Sequence, residues 1–270
     1  MANDEICGTA VAPDTAELDD PVGGSLRGHH ADLARRAGRA VTYLPEVATF
    51  AAVGRDPDPR DWSDLAQLLG PGELADLFSC PAPPPADWAE VFTLAGRQMI
   101  LSGAGLPAPP LDHDTVELGA DSVPEMLDLV ERTRPGPFRP RTRELGTYLG
   151  IRDNGRLVAM AGERLRPPGW TEISAVCTAP EARGKGYAAH LVRALVARIE
   201  GRGERPFLHV AEGNTGAIDL YERLGFRTRV SVTFRGYRTP WPRAGGAGRA
   251  ARVWSGPSPA GGVDALTARR

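Results

Sequence analysis

The stretch EARGKGYAAH, residues 181–190, contains the residue types of an anion-binding loop. Lys185 is the only lysine of the chain and lies between Gly184 and Gly186, and a run rich in alanine and leucine follows. The first amide N–H groups of a helix are unpaired and carry a partial positive charge, and glycines let an anion come close to that backbone. The pattern therefore predicts a phosphate or pyrophosphate site where a helix begins near Gly186.

Two common phosphate loops fit these glycines less well. A Walker A loop needs a Ser or Thr hydroxyl for magnesium, and neither residue type follows Gly186. The dinucleotide fingerprint Gly-x-Gly-x-x-Ala does match Gly184, Gly186 and Ala189, and Glu212 could be its acidic residue. In that fold the glycines follow a strand almost directly, whereas TAPEAR intervenes here. The dinucleotide reading is therefore the weaker alternative.

Hydrophobic periodicity predicts the elements that position the loop. TEISAVC at 171–177 is a predicted strand, and the helix after the loop has one apolar stripe. Upstream, ELGTYLGIR and RLVAMAGERL alternate with period two around residues 153–155, and this predicts a hairpin because Asn and Gly tolerate positive φ. Another helix is predicted to start at Ser122 or Pro124. The members of the apolar stripe are Ala188, Leu191, Val192, Leu195 and Ile199.

A second stretch with chemical potential is PFLHVAEGNTGAIDLYERLGF, residues 206–226. PFLHV is a predicted strand, Asn214 or Thr215 can cap the helix that follows, and Gly225 can end it. Asn214 and Tyr221 are seven residues apart, so they project from about the same side of two helical turns. An amide and a phenol are therefore expected to face one groove. FRTRVSVTF then alternates as a half-buried final strand would, with Phe226, Thr228, Val230, Val232 and Phe234 on one face.

The N-terminal part is predicted to be a separate α/β unit over residues 24–106. The proline-rich segment at 105–114 is the preferred boundary between this unit and a C-terminal domain at 111–238. The expected helices of the unit lie near 26–37 and 62–69, and its expected strands near 40–44 and 90–101.

The ends of the chain and two histidines give further expectations. Residues 1–23 and 239–270 are expected to be disordered tails, because they have too few large apolar residues to offset their ordering entropy. His29 and His30 are adjacent on a predicted helix and point apart, so both are expected at the surface.

Composition narrows the class of protein. The formal charge of −2 and a pI near 6.2 provide no basic field for nucleic acid or for an anionic membrane. The three cysteines, Cys7, Cys80 and Cys177, are far apart and odd in number, so we expect neither a disulfide framework nor a metal site. The acidic N-terminus lacks the pattern of an export signal. A cytoplasmic protein without a metal, a nucleic-acid partner or a membrane partner is expected.

From about Val116 to Tyr237 the sequence resembles the GNAT superfamily of acyl-CoA-dependent N-acetyltransferases. The resemblance rests on Arg-x-x-Gly-x-Ala, matched by Arg183, Gly186 and Ala188, and on the stretch at 206–226, which is similar to the second signature of the family. Within this superfamily, both stretches are most similar to the branch that contains glycine N-acyltransferase-like proteins. The resemblance implies an α/β GNAT acyltransferase fold, with a mixed central sheet flanked by helices and an N-terminal unit that could be a degenerate copy.

The resemblance also implies acetyl-CoA as cosubstrate. The strand that ends at Thr178 would offer backbone groups to the pantetheine arm, and amides at the start of the helix would hold the pyrophosphate. Lys185 would be a supplementary cation near the phosphates or a solvated loop residue. The residues implied in cofactor binding are Val176, Cys177, Thr178, Arg183, Gly184, Lys185, Gly186, Tyr187, Ala188, Ala189 and Asn214.

For catalysis, the family pattern implies Tyr221 as the acid that protonates the leaving thiolate. An alkylamine has a pKa near 10.4, so a proton acceptor is also needed. Glu172, on the strand before the loop, is the favoured base, and His209 is the second candidate. A structural role stays open for both. Cys177 is expected to be a buried small residue instead of a nucleophile.

The expected function is N-acyl transfer, in which a primary amine of a small molecule or peptide attacks the thioester directly. Arg139, Arg141 and Arg143 could clamp a carboxylate of the acceptor, or they could belong to a solvated loop. The alternatives are a non-catalytic CoA-binding sensor or interaction module and a dinucleotide-dependent oxidoreductase.

Overall fold

An eight-stranded mixed sheet forms the centre of the computed structural model, which describes residues 15–78, 80, 82–103 and 115–241. Neighbouring strands of this sheet are antiparallel, except for β9 and β10, which run parallel. A mixed α/β fold, as expected, is confirmed. In spatial order the strands are β4 (Leu74–Asp76), β11 (Phe226–Arg238), β5 (Ala89–Leu101), β10 (Arg205–Ala211), β9 (Trp170–Thr178), β8 (Arg156–Glu163), β7 (Tyr148–Asp153) and β6 (Thr115–Glu117).

Two helices pack on opposite faces of the sheet. They are α3, Val123–Thr133, and α4, Tyr187–Gly201, and both pack on β8 and β9. A third helix, α5, Thr215–Arg223, packs against β11. The predicted stripe on α4 is confirmed for its large members, because Leu191, Val192, Leu195 and Ile199 are fully buried in the core.

The N-terminal part covers the face of the sheet on which α3 lies, opposite to α4. It contains α1 (Pro21–Arg27), α2 (Pro59–Leu69) and an antiparallel sheet of β1 (Ala34–Ala37), β2 (Ala40–Tyr43) and β3 (Ala51–Ala52). Leu26, Tyr43 and Phe50 from this part pack in one apolar cluster with Phe207 and Phe234 of the large sheet. The N-terminal residues therefore form a layer over the middle of that sheet.

This layer differs from the sequence expectation in two places. The helix predicted near 26–37 ends at Arg27, because Gly28 closes α1 and a short 3₁₀ turn leads into β1. His30 is consequently buried and not at the surface: its Nδ1 lies 2.8 Å from the Tyr43 hydroxyl, and its Nε2 lies 3.0 Å from the carbonyl oxygen of Leu145. Only His29 is exposed as expected.

The expected tails also differ where the structure describes them. Within 15–23, Leu18 and Val22 are each only 1% exposed, because they pack into the cluster that joins the N-terminal layer to the sheet. Thr239 is buried as well, and its hydroxyl donates to the carbonyl oxygen of Gly70. Residues 1–14 and 242–270 of the expected tails lie outside the described part of the chain.

Strand β5 joins the two halves of the sequence. It is the strand expected near 90–101, and it lies between β10 and β11 with antiparallel pairing to both. The N-terminal residues therefore contribute two strands, β4 and β5, to the large sheet in place of building a second copy of the fold. The expected boundary at 105–114 falls within 104–114, outside the described residues, and the residue bounds of the two units stay a prediction.

Turn chemistry explains two local features. Asn154 and Gly155 have φ of 50° and 79°, and they close the predicted hairpin of β7 and β8. In β11 the expected alternation is interrupted by a bulge at Arg229, since the pairing with β5 shifts between Thr228 and Val230. Val230 is consequently 43% exposed.

Candidate active site

A gap opens between β9 and β10 at the centre of the sheet. The two strands pair only from Trp170 to Glu172, opposite Arg205 to Phe207. Past that point the register of β9 against β8 shifts, and Ala175 has a φ of 52°, which marks a bulge. Ser174, Ala175 and Val176 are half-buried, although their neighbours on either side are buried. The gap therefore exposes the backbone of β9 where the pantetheine arm was expected.

The glycine loop follows β9 and ends where α4 begins. Gly184 and Gly186 have φ of 79° and 80°, and no side chain caps the helix at Gly186. A Cβ added at either glycine would meet no atom within 4 Å. The loop therefore has open space in front of the first amides of a 15-residue helix, and this is the arrangement that a pyrophosphate requires.

The two basic residues of the loop are held by nearby oxygens. Lys185 Nζ lies 3.2 Å from Asp153 Oδ2 at the tip of the β7–β8 hairpin, and this contact raises the pKa of Lys185. Arg183 Nε donates to the carbonyl oxygen of Thr178 at 3.4 Å. Both side chains remain at the surface, where they can approach an anion at the loop.

Glu172, the favoured base, is fully buried and strongly paired. It accepts hydrogen bonds from Arg164 Nε at 2.8 Å and from Arg164 Nη2 at 2.6 Å, and its Oε1 lies 2.7 Å from His209 Nδ1. Burial alone would raise the pKa of Glu172, but Arg164 and then His209 lower it to about 2. The carboxylate is therefore ionised and has little affinity for a proton at neutral pH.

His209, the second candidate, belongs to the same network. Its Nε2 lies 3.2 Å from Gln98 Nε2, which also donates to the carbonyl oxygen of Leu18 at 2.9 Å. Gln98 Oε1 accepts from Arg229 at 2.9 Å, so the Gln98 amide nitrogen faces the imidazole as a donor. A neutral His209 satisfies both contacts, with Nδ1–H donating to Glu172. Burial lowers the pKa of His209, and Glu172 opposes that effect only in part.

Aromatic rings close this network off from solvent. Phe78, Phe207 and Phe234 surround the His209 ring at centroid distances of 4.7, 5.7 and 6.1 Å. The Arg164 guanidinium lies over the Phe78 ring, 4.6 Å from its centroid. The side chains of Glu172 and His209 are 0% and 1% exposed. The structure thus brings the two candidate bases together, and their catalytic roles stay predictions.

Asn214 and Tyr221 occupy the positions expected from their spacing. Asn214 Oδ1 accepts from the amide of Ala217 at 3.3 Å and caps α5, as predicted. Tyr221 is 7% exposed, and burial raises its pKa to about 12. None of the described residues forms a hydrogen bond with its hydroxyl. Tyr221 is therefore protonated at neutral pH, which suits a proton donor, although its role as the acid stays a prediction.

Cys177 is 7% exposed in the main apolar core, and burial raises its pKa to about 11. A thiol in this environment is a poor nucleophile, in agreement with the expectation that it packs as a small apolar residue. Of the three candidate clamp arginines, Arg141 is bound to the carboxylate of Glu144 by two 2.8 Å hydrogen bonds.

Sequence reasoning missed three residues near the gap. Arg164 carried a signal, because a charge at the end of the apolar segment RLVAMAGERL needs a buried partner. Gln98 lies on β5, whose place beside β10 has no local signal in the sequence. Tyr148 has a hydroxyl that is buried without a hydrogen-bond partner, and sequence alone cannot reveal that property.

Comparison with known proteins identifies the family. The FR47-like protein family profile matches residues 148–235. The solved structure of a GNAT-family protein from Novosphingobium aromaticivorans DSM 12444 is 38% identical, covers 83% of this chain and 99% of its own, and superimposes with a TM-score of 0.75. The chain therefore belongs to the GNAT family of acetyltransferases, as the resemblance implied. Acetyltransferases of this family use acetyl-CoA.

Two further proteins are similar over the fold or over a segment. A GCN5-related N-acetyltransferase from Kribbella flavida shares the fold, with 19% identity, a TM-score of 0.56 and coverage of 84% of this chain and 97% of its own. A mycothiol acetyltransferase from Thermobispora bispora is 42% identical over 66 residues, which span 24% of this chain and only 22% of that relative.

The strand directions of the large sheet can be compared with those of a dinucleotide-binding fold. Among the described strands of the large sheet, β9 and β10 form the single parallel pair, so the doubly wound parallel sheet of a dinucleotide-binding fold is not present there. None of the described helices has the length and apolar character needed to span a bilayer.

Proposed function

We propose that this protein transfers the acetyl group of acetyl-CoA to a primary amine of a small molecule or peptide, with direct attack of the amine on the thioester. One observation carries the proposal: the open start of α4, at Gly184 and Gly186, follows the strand that borders the gap between β9 and β10 after one short 3₁₀ turn. The anion site at the start of α4 thus lies close to the gap between β9 and β10. The diphosphate and the pantetheine arm of CoA require neighbouring sites of these two kinds.

Different groups of the chain bind different parts of acetyl-CoA in this proposal. Amides between Arg183 and Ala189 hold the diphosphate, with Arg183 and Lys185 as supplementary cations. Backbone groups of Val176, Cys177 and Thr178 hold the pantetheine arm along the free edge of β9. Asn214 fixes the start of α5, and Tyr221 extends from that helix. Acetyl-CoA itself supplies the activated acyl group.

For the proton of the amine, the geometry favours His209 over Glu172. Glu172 is held by two hydrogen bonds from Arg164, so protonating it would break a buried ion pair. His209 has a lowered pKa and is neutral at pH 7, and Glu172 fixes which of its nitrogens carries the proton. His209 Nε2 then accepts the proton once the Gln98 amide moves aside.

Tyr221 is proposed as the donor to the leaving thiolate. Its raised pKa keeps the proton on the hydroxyl until a strong base such as a thiolate forms nearby. Tyr221→Phe should therefore lower the turnover number roughly 100-fold with an unchanged dissociation constant for acetyl-CoA. Tyr237→Phe on the outer part of β11 is the matched control and should retain full activity.

The enclosure of His209 and Glu172 favours a second candidate, a CoA-binding sensor whose acceptor site is closed. The name of the Thermobispora bispora relative points to mycothiol, but the matched segment is short. Because the match is this short, it does not define the acceptor more closely than a primary amine.

Release of CoA thiol from acetyl-CoA, measured with a panel of amino sugars, amino acids and peptides, separates the two candidates. Amine-dependent release supports the transferase, and His209→Gln should slow that release about 100-fold. Tight binding of acetyl-CoA in titration calorimetry, without release for any amine in the panel, supports the sensor. No binding of acetyl-CoA would overturn both.

A further inference from the structure

The hydroxyl of Tyr148 is the single buried side-chain polar atom of the described residues that lacks a hydrogen-bond partner. Tyr148 is 1% exposed and lies at the start of β7. Buried hydroxyls in proteins are nearly always paired, because an unpaired one loses its hydrogen bonds to water without compensation. An exception beside a reaction site indicates a partner that arrives with a ligand.

Packing fixes the Tyr148 ring even though its hydroxyl has no partner. The ring lies across Gly162 of β8, so closely that a Cβ at Gly162 would stand 2.3 Å from two ring carbons. Phe138 meets the ring edge-on, at 5.6 Å between centroids. The position of the hydroxyl is therefore set by steric contacts, before any ligand binds.

Strand register directs this hydroxyl toward the gap. Tyr148 pairs with Gly162, and Gly162 pairs with Ser174 on β9, where the strand begins to separate from β10. Because alternate residues share a face, Tyr148 lies on the same face of the sheet as Ser174 and Glu172. A ring that crosses Gly162 from β7 extends its hydroxyl toward β9. The charges of Arg164 and Glu172 also act on Tyr148.

The Tyr148 hydroxyl acts on a ligand as a hydrogen-bond donor. Burial raises the pKa of Tyr148 well above its ordinary value, so the group keeps its proton and offers one O–H donor. Such a donor selects a ligand atom that accepts a hydrogen bond. It gives no advantage to a ligand with a methyl group in the same place.

We propose that Tyr148 is a specificity-determining residue whose hydroxyl donates a hydrogen bond to an oxygen of the acceptor, close to the reacting amine. This inference rests on the proposed transferase function and adds to it the class of acceptor: an amine that carries a neighbouring hydroxyl or carbonyl oxygen. Purely alkyl amines are poor acceptors, because they leave the Tyr148 hydroxyl unpaired.

The test uses the full chain and two pairs of amines that differ in polar atoms but are similar in shape: ethanolamine with propylamine, and glycinamide with isobutylamine. Wild-type protein should favour the oxygen-bearing member roughly five- to tenfold in kcat/KM. Tyr148→Phe should bring that ratio close to one, with the same dissociation constant for acetyl-CoA and an equal or higher melting temperature.

Tyr43→Phe is the matched control, because the Tyr43 hydroxyl is equally buried but is bound to His30 at 2.8 Å. This control should lower the melting temperature and leave the amine preference intact. An unchanged ratio in Tyr148→Phe would overturn the inference, as would weaker acetyl-CoA binding in that variant. If no amine reacts, the melting temperature of the CoA-bound protein is measured with each of the same amines, and it tests whether Tyr148 binds their oxygen atoms. If only the oxygen-bearing amines raise the melting temperature, and Tyr148→Phe removes that rise, the inference about Tyr148 is retained and only the transferase function is rejected. If no amine raises the melting temperature, both the inference and the transferase function are rejected.

Discussion

Glu172 Oε1 and His209 Nδ1 are 2.7 Å apart at the point where β9 and β10 separate. Phe207, which precedes His209 by two residues, pairs with Glu172, so both side chains lie on the face covered by the N-terminal layer. The two residues that compete for the role of base are therefore one hydrogen-bonded unit, and Arg164 fixes its charge.

Glu172→Gln should lower the free energy of unfolding by about 3 kcal/mol, since it leaves the buried Arg164 guanidinium without a counter-ion. Glu144→Gln, which breaks the exposed pair with Arg141, should change the free energy of unfolding much less, because solvent screens an exposed pair. Urea denaturation of both variants measures the difference. Equal effects would mean that the Arg164 charge is not isolated from water.

His209→Gln should lower the turnover number about 100-fold and leave acetyl-CoA affinity unchanged. The pKa of His209 lies below its ordinary value, so in wild-type protein activity falls only as the pH drops below about 6.5. A pH profile of kcat/KM checks the sign: this acidic limb should disappear in the variant. His29→Gln, at an exposed histidine, should keep the wild-type profile, and a limb that survives in His209→Gln would assign the base elsewhere.

Gly186→Asp should weaken acetyl-CoA binding more than tenfold, because a carboxylate would enter the space in front of the first amides of α4. The matched control is Gly203→Asp, since Gly203 has a similar φ of 76° and equally open surroundings beyond the other end of α4. Both variants should lose about 1 kcal/mol of stability through backbone strain. Calorimetric titration with similar affinity in both would refute a diphosphate site at Gly186.

His30 should make a contribution to stability that rises with pH between about 4 and 6.5. Burial lowers the pKa of His30 to about 4, so in this window the unfolded chain binds a proton that the folded chain does not. The contribution is complete above 6.5 and is lost as the pH falls, by about 3 kcal/mol in total. His30→Gln should flatten this slope in urea titrations at several pH values, whereas His29→Gln should retain it.

The C-terminal elements were predictable because their signals are local. Asn154 and Gly155 determine a hairpin turn, Gly186 marks the start of a helix, and Asn214 caps the next one. The position of β5 was not predictable, since its partners are more than a hundred residues away along the chain. His30 shows the same limit, because it is buried by contacts with Tyr43 and Leu145 and not by its neighbours in sequence.

The identity of the site residues was predictable from the sequence, but their protonation states were not. Residue type and spacing indicated Glu172, His209 and Tyr221 as chemically capable groups. Their protonation depends on Arg164 and on the aromatic enclosure, and both arise from strands and loops that meet only in the folded protein. In the folded protein the two candidate bases form one hydrogen-bonded pair.

The central place of β5 has a consequence for dissecting this protein. A fragment limited to the residues that match the family profile would lack β4 and β5, and would leave the outer edge of β10 and both edges of β11 without these hydrogen-bond partners. Such bare strand edges invite self-association, so the fragment should aggregate when expressed alone. Supplying residues 82–103 in trans, as a complementing peptide, should restore solubility.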